Sequence, residues 1–339
     1  MSELDLSAII LRQEVIKLLR RFFDTQGFQE VTTPILNTGV PLEPRVYPFT
    51  TTWHARRQET TLYLPIYPER DMKRLLGLGL GECYTIGHCC RNLEASSPTH
   101  HPEFLMLEWY RRDCDDTAIR CDTKALFTFV ATNLAPRLKG EARLHALGVT
   151  TWQWQTLSVA KLWQERLGVP LDELLTESNM ARFARRLGYQ TQDSSWEENF
   201  QQIFFNEIET QLPQTPFFLL DFPARLSPHC ARQKNHPDFA ARFEVYYQGL
   251  EIGNGNSEYL DEKEVGASYC SENQARRALG VSTLPEDQVM LKAIGQMRQS
   301  GHSFAGIGIG VERLTMILAG IKEISEFYGD FKSSVVSSS

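Results

Sequence analysis

The stretch Cys90 to Phe104, "CRNLEASSPTHHPEF", places a guanidinium at Arg91, an amide at Asn92, a carboxylate at Glu94 and two imidazoles at His100 and His101 in one loop. Two strand-like runs flank it, "ECYTIGHCC" and "EFLMLEWY". An arginine offers planar bidentate contact to phosphate, and a nearby carboxylate or amide pairs with the edge of a nitrogenous ring. His100 and His101 across the loop are placed to meet terminal phosphates. Two other readings stand beside this one. A solvated hairpin with a surface ion pair uses the same residues. A zinc site could draw on His88, Cys89, Cys90, His100 and His101, although neighbours on a strand point to opposite faces and Cys89 and Cys90 would not converge.

Two further stretches carry chemistry. "LEIGNGNSE", Leu250 to Glu258, sets Glu251 and Glu258 around two glycines, so the backbone can approach a ligand while carboxylates face a cation. Magnesium, an ammonium group or a plain β-bulge would each account for it. "GIGIGVERL", Gly306 to Leu314, alternates glycine along one strand face and puts Glu312 and Arg313 at a helix start. The glycines clear room for a flat ligand or for close backbone packing. The spacing is not that of the dinucleotide fingerprint.

The elements that must position these groups are legible from periodicity. Ile9, Ile10, Val15, Leu18, Leu19, Phe22 and Phe23 recur at helical spacing, and Gly27 stops that helix. "FQEVTTPIL" reads as a strand running into Pro34, and "TLYLPIYPERDMKRLLGLGL" as strand, turn and short helix. Residues 116–212 are expected to be a helical insertion within a single domain spanning 1–330, and 331–339, rich in serine, a disordered tail. Strands resume at "PFFLLDFP" and "ARFEVYYQGLEIGNGNSEYL". Helices follow near Asp261 to Ala278 and Glu286 to Arg298. The strands do not alternate with regular helices, so the class is α+β, a mainly antiparallel sheet flanked by helices.

With 339 residues, 42% hydrophobic and 23% charged, the chain can bury a substantial core. Its 35 basic and 42 acidic residues give a net charge of -7, which excludes a broad nucleic-acid-binding surface. The seven cysteines (Cys83, Cys89, Cys90, Cys114, Cys121, Cys230, Cys270) are odd in number and scattered, as in a reducing compartment. No signal peptide or membrane-length apolar run is present, so a cytoplasmic location is expected.

Taken in order, these segments resemble the three signature motifs of class II aminoacyl-tRNA synthetases. The opening helix with "FQEVTTPIL" resembles motif 1, "CRNLE" through "HHPEFLMLEWY" motif 2, and "GIGIGVERLTM" motif 3. "YPERDMKRLL" and "RFEVYYQGLEIGNGNSE" are similar to the lysyl-type subgroup. A lysyl-tRNA synthetase carries an N-terminal anticodon-binding barrel, whereas the helix here starts at about Ser7, so no anticodon recognition is expected. That arrangement is similar to the elongation factor P lysine ligases.

The resemblance implies that ATP and a lysine-type amino acid such as (R)-β-lysine form an adenylate, which passes to a lysine of elongation factor P. It implies Arg91 on the α-phosphate, Asn92, Leu93 and Glu94 near adenine, Phe104 stacked on the ring, and His100 or His101 by the phosphates. Glu251 and Ile252 would lie by Mg-ATP, with Glu251 the magnesium ligand, and Gly310 and Arg313 at the motif 3 end. Tyr67, Pro68, Glu69, Tyr110, Asn256 and Glu258 match the amino-acid pocket, and motif 1 implies a homodimer. Three departures bear on the substrate. Leu93 intrudes where the family has Arg-Asn-Glu, so either Leu93 is inserted or it replaces the glutamate and the extra residue lies at the loop tip. Tyr67 replaces a small hydroxyl, and Asn256 an aromatic residue. The alternative is a paralogue that adenylates another amino acid for transfer to a small molecule or carrier.

Overall fold

The structure, a computed structural model, describes residues 5–41, 46–55, 58–93, 97–192, 194–278 and 280–329. Glu94 and the tail 331–339 lie outside the described residues. The apolar period at the N-terminus becomes α1 (Leu6–Thr25), capped by the Asp5 carboxylate, which accepts from the Ser7 N–H. Gly27, at φ +78°, turns the chain out of it. β1 covers only Gln29–Glu30, shorter than "FQEVTTPIL" suggests. One further ladder bond, Val31 N–H to the Tyr84 carbonyl, extends the pairing before Pro34, which has no N–H to continue it.

The hairpin β2 (Thr50–Ala55) and β3 (Gln58–Tyr63) leads to α2 (Glu69–Gly77), then β4 (Cys83–Cys90), β5 (Glu103–Arg112), α3 (Asp116–Leu134) and α4 (Gly140–Val149). Next come β6 (Gln155–Ser158), α5 (Val159–Leu167), α6 (Glu177–Arg186), α7 (Trp196–Ile203), β7 (Phe217–Leu220), β8 (Arg242–Tyr247) and β9 (Leu250–Ser257). The chain ends in α8 (Glu262–Ala278), α9 (Gln288–Gln299), β10 (Phe304–Gly310), α10 (Val311–Ala319) and α11 (Ser325–Tyr328). Contacts divide it into two units, Met1–Thr151 with Leu260–Ser339, and Trp152–Tyr259. Residues 116–212 therefore hold α3 and α4 in the first unit, and the strand β6 with α5, α6 and α7 in the second.

In the first unit β1 runs parallel to β4, while β5 lies antiparallel between β4 and β10. The apolar face of α1 covers this sheet: Phe23 stacks on Tyr84 at 4.6 Å and meets Trp109 at 5.3 Å, all three fully buried. α3, α10 and α11 pack beside α1, α4 packs on α10 and α3, and α2 packs against α9.

In the second unit β6 and β7 pair in parallel, and β7, β8 and β9 are antiparallel neighbours. Trp163, Trp196, Phe200 and Phe204, from α5, α7 and the turn after it, form an aromatic stack over Phe217 and Leu219. No helix among the described residues is long and apolar enough to cross a membrane.

Candidate active site

Strand register decides which groups of the first unit share a face. Cys83, Thr85, Gly87 and Cys89 of β4 stand opposite Tyr110, Glu108, Met106 and Phe104 of β5. The first three of those β5 residues stand opposite Gly306, Gly308 and Gly310 of β10. Cross-strand partners point to the same side. The glycine space is not left open along its length. A Cβ at Gly306 would fall 2.5 Å from the Tyr110 ring, and one at Gly308 would fall 2.9 Å from the Met106 Sδ. Close packing of the protein's own side chains therefore explains those two glycines. At Gly310 only the stem of Arg313 approaches, at 3.7 Å. Glu108, buried in the middle of this face, is a carboxylate that the motif reading passed over.

Arg91 follows β4 and is held from several directions. Its backbone N–H donates to the Pro102 carbonyl at 2.9 Å, and its Nε donates to the Ile66 carbonyl at 3.3 Å. The guanidinium carbon lies 5.1 Å from the Tyr67 ring centroid and 4.9 Å from that of Phe104. Two aromatic faces flank the cation and attract it through their ring quadrupoles. Tyr67 thus has a defined neighbour, the motif 2 arginine, and Phe104 meets that arginine as well.

The loop then bends back. Asn92 donates its N–H to the Tyr47 carbonyl at 2.7 Å, and its side-chain oxygen accepts from the Leu93 N–H at 2.9 Å. Leu93 sits at φ +62° and is 70% exposed, so it forms an exposed turn position.

On the far side of the loop Arg313 Nη2 lies 2.9 Å from His100 Nε2, and Arg313 Nε donates to the Thr99 carbonyl at 3.3 Å. His100 Nδ1 meets Ser97 Oγ at 2.7 Å. Motif 2 and motif 3 residues are therefore bonded directly. Glu312, 1% exposed, ties the same elements from beneath: it accepts from Arg12 of α1 at 3.0 Å, from the Leu105 N–H at 3.0 Å and from the Tyr328 hydroxyl at 2.5 Å.

Of the residues expected around an amino acid, Pro68 caps α2 without a side-chain bond and Glu69 opens that helix. The Glu69 carboxylate meets Lys73 Nζ at 2.5 Å, one turn on, and Lys73 is 1% exposed. Tyr110 is buried, packed with Met72, Leu76, Cys83, Met297 and Phe304. No cluster of three or more His, Cys, Asp or Glu fit to hold a metal occurs among the described residues, and Cys89 is buried while Cys90 is half-buried. The zinc reading of the loop thus has no support.

The second unit gathers carboxylates. Glu251 and Glu258 are seven positions apart, an odd number, and on a regular strand they would face opposite sides. The β8–β9 register slips at Val245/Tyr246: Val245 pairs with Gly253 and Tyr246 with Glu251, so Ile252 has no partner opposite. This extra residue inverts the alternation. Arg242, Glu244 and Tyr246 now share a face with Asn256, Asn254 and Glu251, their partners on β9, and with Glu258. Ile252, the bulged residue, is 2% exposed.

On that face Arg242 donates to Glu244 at 2.7 Å and to Asn254 at 3.2 Å, and Tyr246 donates to Glu244 at 3.0 Å. Asn256 Nδ2 donates to Glu258 Oε1 at 3.3 Å and to the Ser257 carbonyl at 3.0 Å. Burial pushes the Glu244 carboxyl above the usual range, and the charge of Glu251 adds to it against Arg242. Burial, then Glu251, raises Glu209 in the same way. Glu244 and Glu209 carried no motif signal, since only the bulge brings Glu251 onto their side.

Residues 3–328 match the family described as tRNA synthetases class II (D, K and N). A lysine–tRNA ligase of Carboxydothermus hydrogenoformans is 32% identical over 326 residues, covering 94% of this chain and 64% of that protein. One from Thermoanaerobacter sp. (strain X514) is 30% identical over 91% of this chain and 60% of its own length. The chain thus spans less than two thirds of the lysine–tRNA ligases it matches. An elongation factor P–(R)-beta-lysine ligase of Photorhabdus laumondii subsp. laumondii is 30% identical over 94% of this chain and 93% of that protein. By this match along nearly its whole length, the chain belongs to the class II (D, K and N) tRNA synthetase family.

Proposed function

We propose that the protein is an ATP-dependent, AMP-forming amino-acid ligase that adenylates a lysine-type amino acid, (R)-β-lysine foremost, and transfers it to a lysine of elongation factor P. The observation that carries this reading is the pair of arginines that meet at one loop. Arg91 is presented between Tyr67 and Phe104, and Arg313 is bonded to His100 and Thr99. The acceptor and the amino acid rest on the relatives named as elongation factor P ligases, which this chain matches nearly end to end.

In the first step a carboxylate oxygen of the amino acid attacks the α-phosphorus in line, and pyrophosphate leaves. Arg91 and Arg313 offset the charge that grows on the phosphate oxygens. In the second step the acceptor amine attacks the acyl carbon of the mixed anhydride, loses a proton and releases AMP, so no covalent enzyme intermediate is needed. Asn92, Phe104, His100, His101 and Gly310 line the nucleotide. Tyr67, Pro68, Glu69, Tyr110, Asn256 and Glu258 recognise the amino acid. Glu69 and Glu258, held by Lys73 and Asn256, favour a cationic substrate.

Magnesium is the metal the family implies. Glu244 and Glu251 fit it, since they share one face where burial, with the Glu251 charge added, raises the Glu244 carboxyl, and one or two carboxylates plus substrate phosphates suffice for this ion. When bound with ATP, it would neutralise phosphate charge. Residues 1–330 act as one cytoplasmic catalytic domain, working as a homodimer.

An ATP/pyrophosphate exchange panel over α- and β-amino acids tests the reading. Exchange dependent on a basic amino acid, with a matching mass gain on elongation factor P, is the expected result. Absence of exchange with every basic amino acid would refute it. Exchange without transfer to elongation factor P would favour the carrier or small-molecule alternative, which the polar Asn256 beside Glu258 also supports.

A further inference from the structure

Tyr328, in the short helix α11, belongs to no motif, yet it touches the loop between β4 and β5. Its ring lies parallel to that of His101, with centroids 4.5 Å apart and 9° between planes. Its hydroxyl donates to Glu312 Oε1 at 2.5 Å, and the Arg12 guanidinium lies 4.8 Å from its centroid. The same segment grips the loop at a second point, where the Ile324 N–H donates to the Pro98 carbonyl at 2.7 Å. Glu312 in turn accepts from the N–H of Leu105, the residue after Phe104, and is itself the residue before Arg313.

We propose that Tyr328 is a positioning residue for the nucleotide site: it straps the loop to Glu312 and so fixes where His101 and Phe104 stand relative to Arg313. The proposal rests on the reading of that loop as the grip on ATP.

Arg313 holds the loop at Thr99 and His100, while Tyr328 and Ile324 hold it at His101 and Pro98. Successive residues are thus fixed from two elements, and a loop pinned in this way loses little freedom when a nucleotide arrives. Phe327 and Ile324, both buried, close a cluster with Ala8 and Met316, and Tyr328 packs against its edge. Tyr328 adds a polar and a stacking contact aimed at the loop. Burial and the Glu312 charge hold its phenol well above the ordinary value, so it stays a donor through the working pH range.

The test uses the full chain with Tyr328→Phe and Tyr328→Ala. Amide hydrogen exchange is read on 97–104 without nucleotide, and ATP/pyrophosphate exchange is read against ATP concentration. Tyr328→Ala is expected to raise amide exchange across 97–104 and to raise the KM for ATP roughly tenfold while kcat changes less than twofold, the scale of one hydrogen bond to a charged group with a ring contact. Tyr328→Phe keeps the stack and should fall between the two, and it decides the matter if the alanine variant does not fold. Wild-type amide exchange and KM in a variant that melts like the parent would overturn the proposal alone. A parent chain that binds no ATP would overturn the reading of the loop and the proposal with it.

Discussion

The first unit gathers arginines about one loop, and the second gathers carboxylates on one sheet face. Arg91 meets two rings and a carbonyl, and Arg313 an imidazole and a carbonyl. Glu244 shares its face with Glu251, which stands opposite Tyr246, while Arg242 bonds Glu244 from the other side. A guanidinium on an aromatic face can turn its planar fork to the oxygens of a phosphate. Crowded carboxylates have the opposite property, because each raises the other until a cation arrives. On the proposed reading the first face receives an anion and the second a cation.

The largest effect should come from removing the anion-receiving side. Arg91→Ala is expected to lower ATP/pyrophosphate exchange by about 10²–10³-fold, the scale of one lost group that stabilises developing charge. Arg91→Lys should recover little, because an ammonium neither stacks flat between Tyr67 and Phe104 nor bridges two oxygens. Near-parental exchange in the lysine variant would show that charge alone suffices and would break the contrast between the two faces.

On the cation-receiving side, Glu251→Gln should raise the magnesium concentration for half-maximal exchange by roughly a hundredfold, within the span lost when metal-site partners are removed. The same variant has a metal-free signature. Glu244 and Glu209 have folded-state values raised above the ordinary 4.5, so their contribution to stability is fully present below that value and is lost as pH rises above it. With chelator present, the melting temperature of the parent should therefore fall from pH 5 towards pH 8, and Glu251→Gln should flatten that slope. An unchanged slope would mean that Glu251 does not crowd its neighbours.

Why the two faces differ in legibility follows from periodicity. The arginine, the histidines and the glycine-rich strand lie in short contiguous segments, and α8, α9, β10 and α10 stand within a few residues of where the pattern put them. The carboxylate face depends on a bulge that no pattern announces. With period two, seven positions separate Glu251 from Glu258 onto opposite sides, and only the unpaired Ile252 returns them to one. Glu108 and Lys73 were hidden for another reason: each reads as an ordinary charged residue, and tertiary packing alone buries them. The glycines of β10 show the limit from the other direction, since sequence could not say whether the cleared space belongs to a ligand or to Tyr110 and Met106.

That last point gives the third prediction. Gly306→Ala would place a Cβ 2.5 Å from the Tyr110 ring and 2.8 Å from the Trp109 carbonyl, and the backbone contact cannot yield as a flexible side chain would. The variant should lose about 1–3 kcal/mol in a denaturant titration, the usual range for overpacking. If instead it keeps parental stability but loses affinity for ATP, the space at Gly306 belongs to the ligand after all, and the anion-receiving face extends further along β10 than the packing indicates.

The smallest effect concerns Leu93, in the turn after Arg91. Leu93 holds φ +62° with its side chain in solvent, a backbone state that a branched side chain adopts at a cost of about 1 kcal/mol. The Asn92 side chain caps the turn by accepting the Leu93 N–H, so the strain is local and offset by one bond. Leu93→Gly removes the Cβ without removing buried surface, and a gain of about 0.5–1 kcal/mol is expected, partly cancelled by the greater freedom of glycine in the unfolded chain. Leu93→Asn, which tolerates this region without that entropy, should gain at least as much. A loss of stability in both variants would mean that the leucine side chain makes a contact worth more than the strain, and the loop would then have to be read as packed on the anion-receiving face instead of turning away from it.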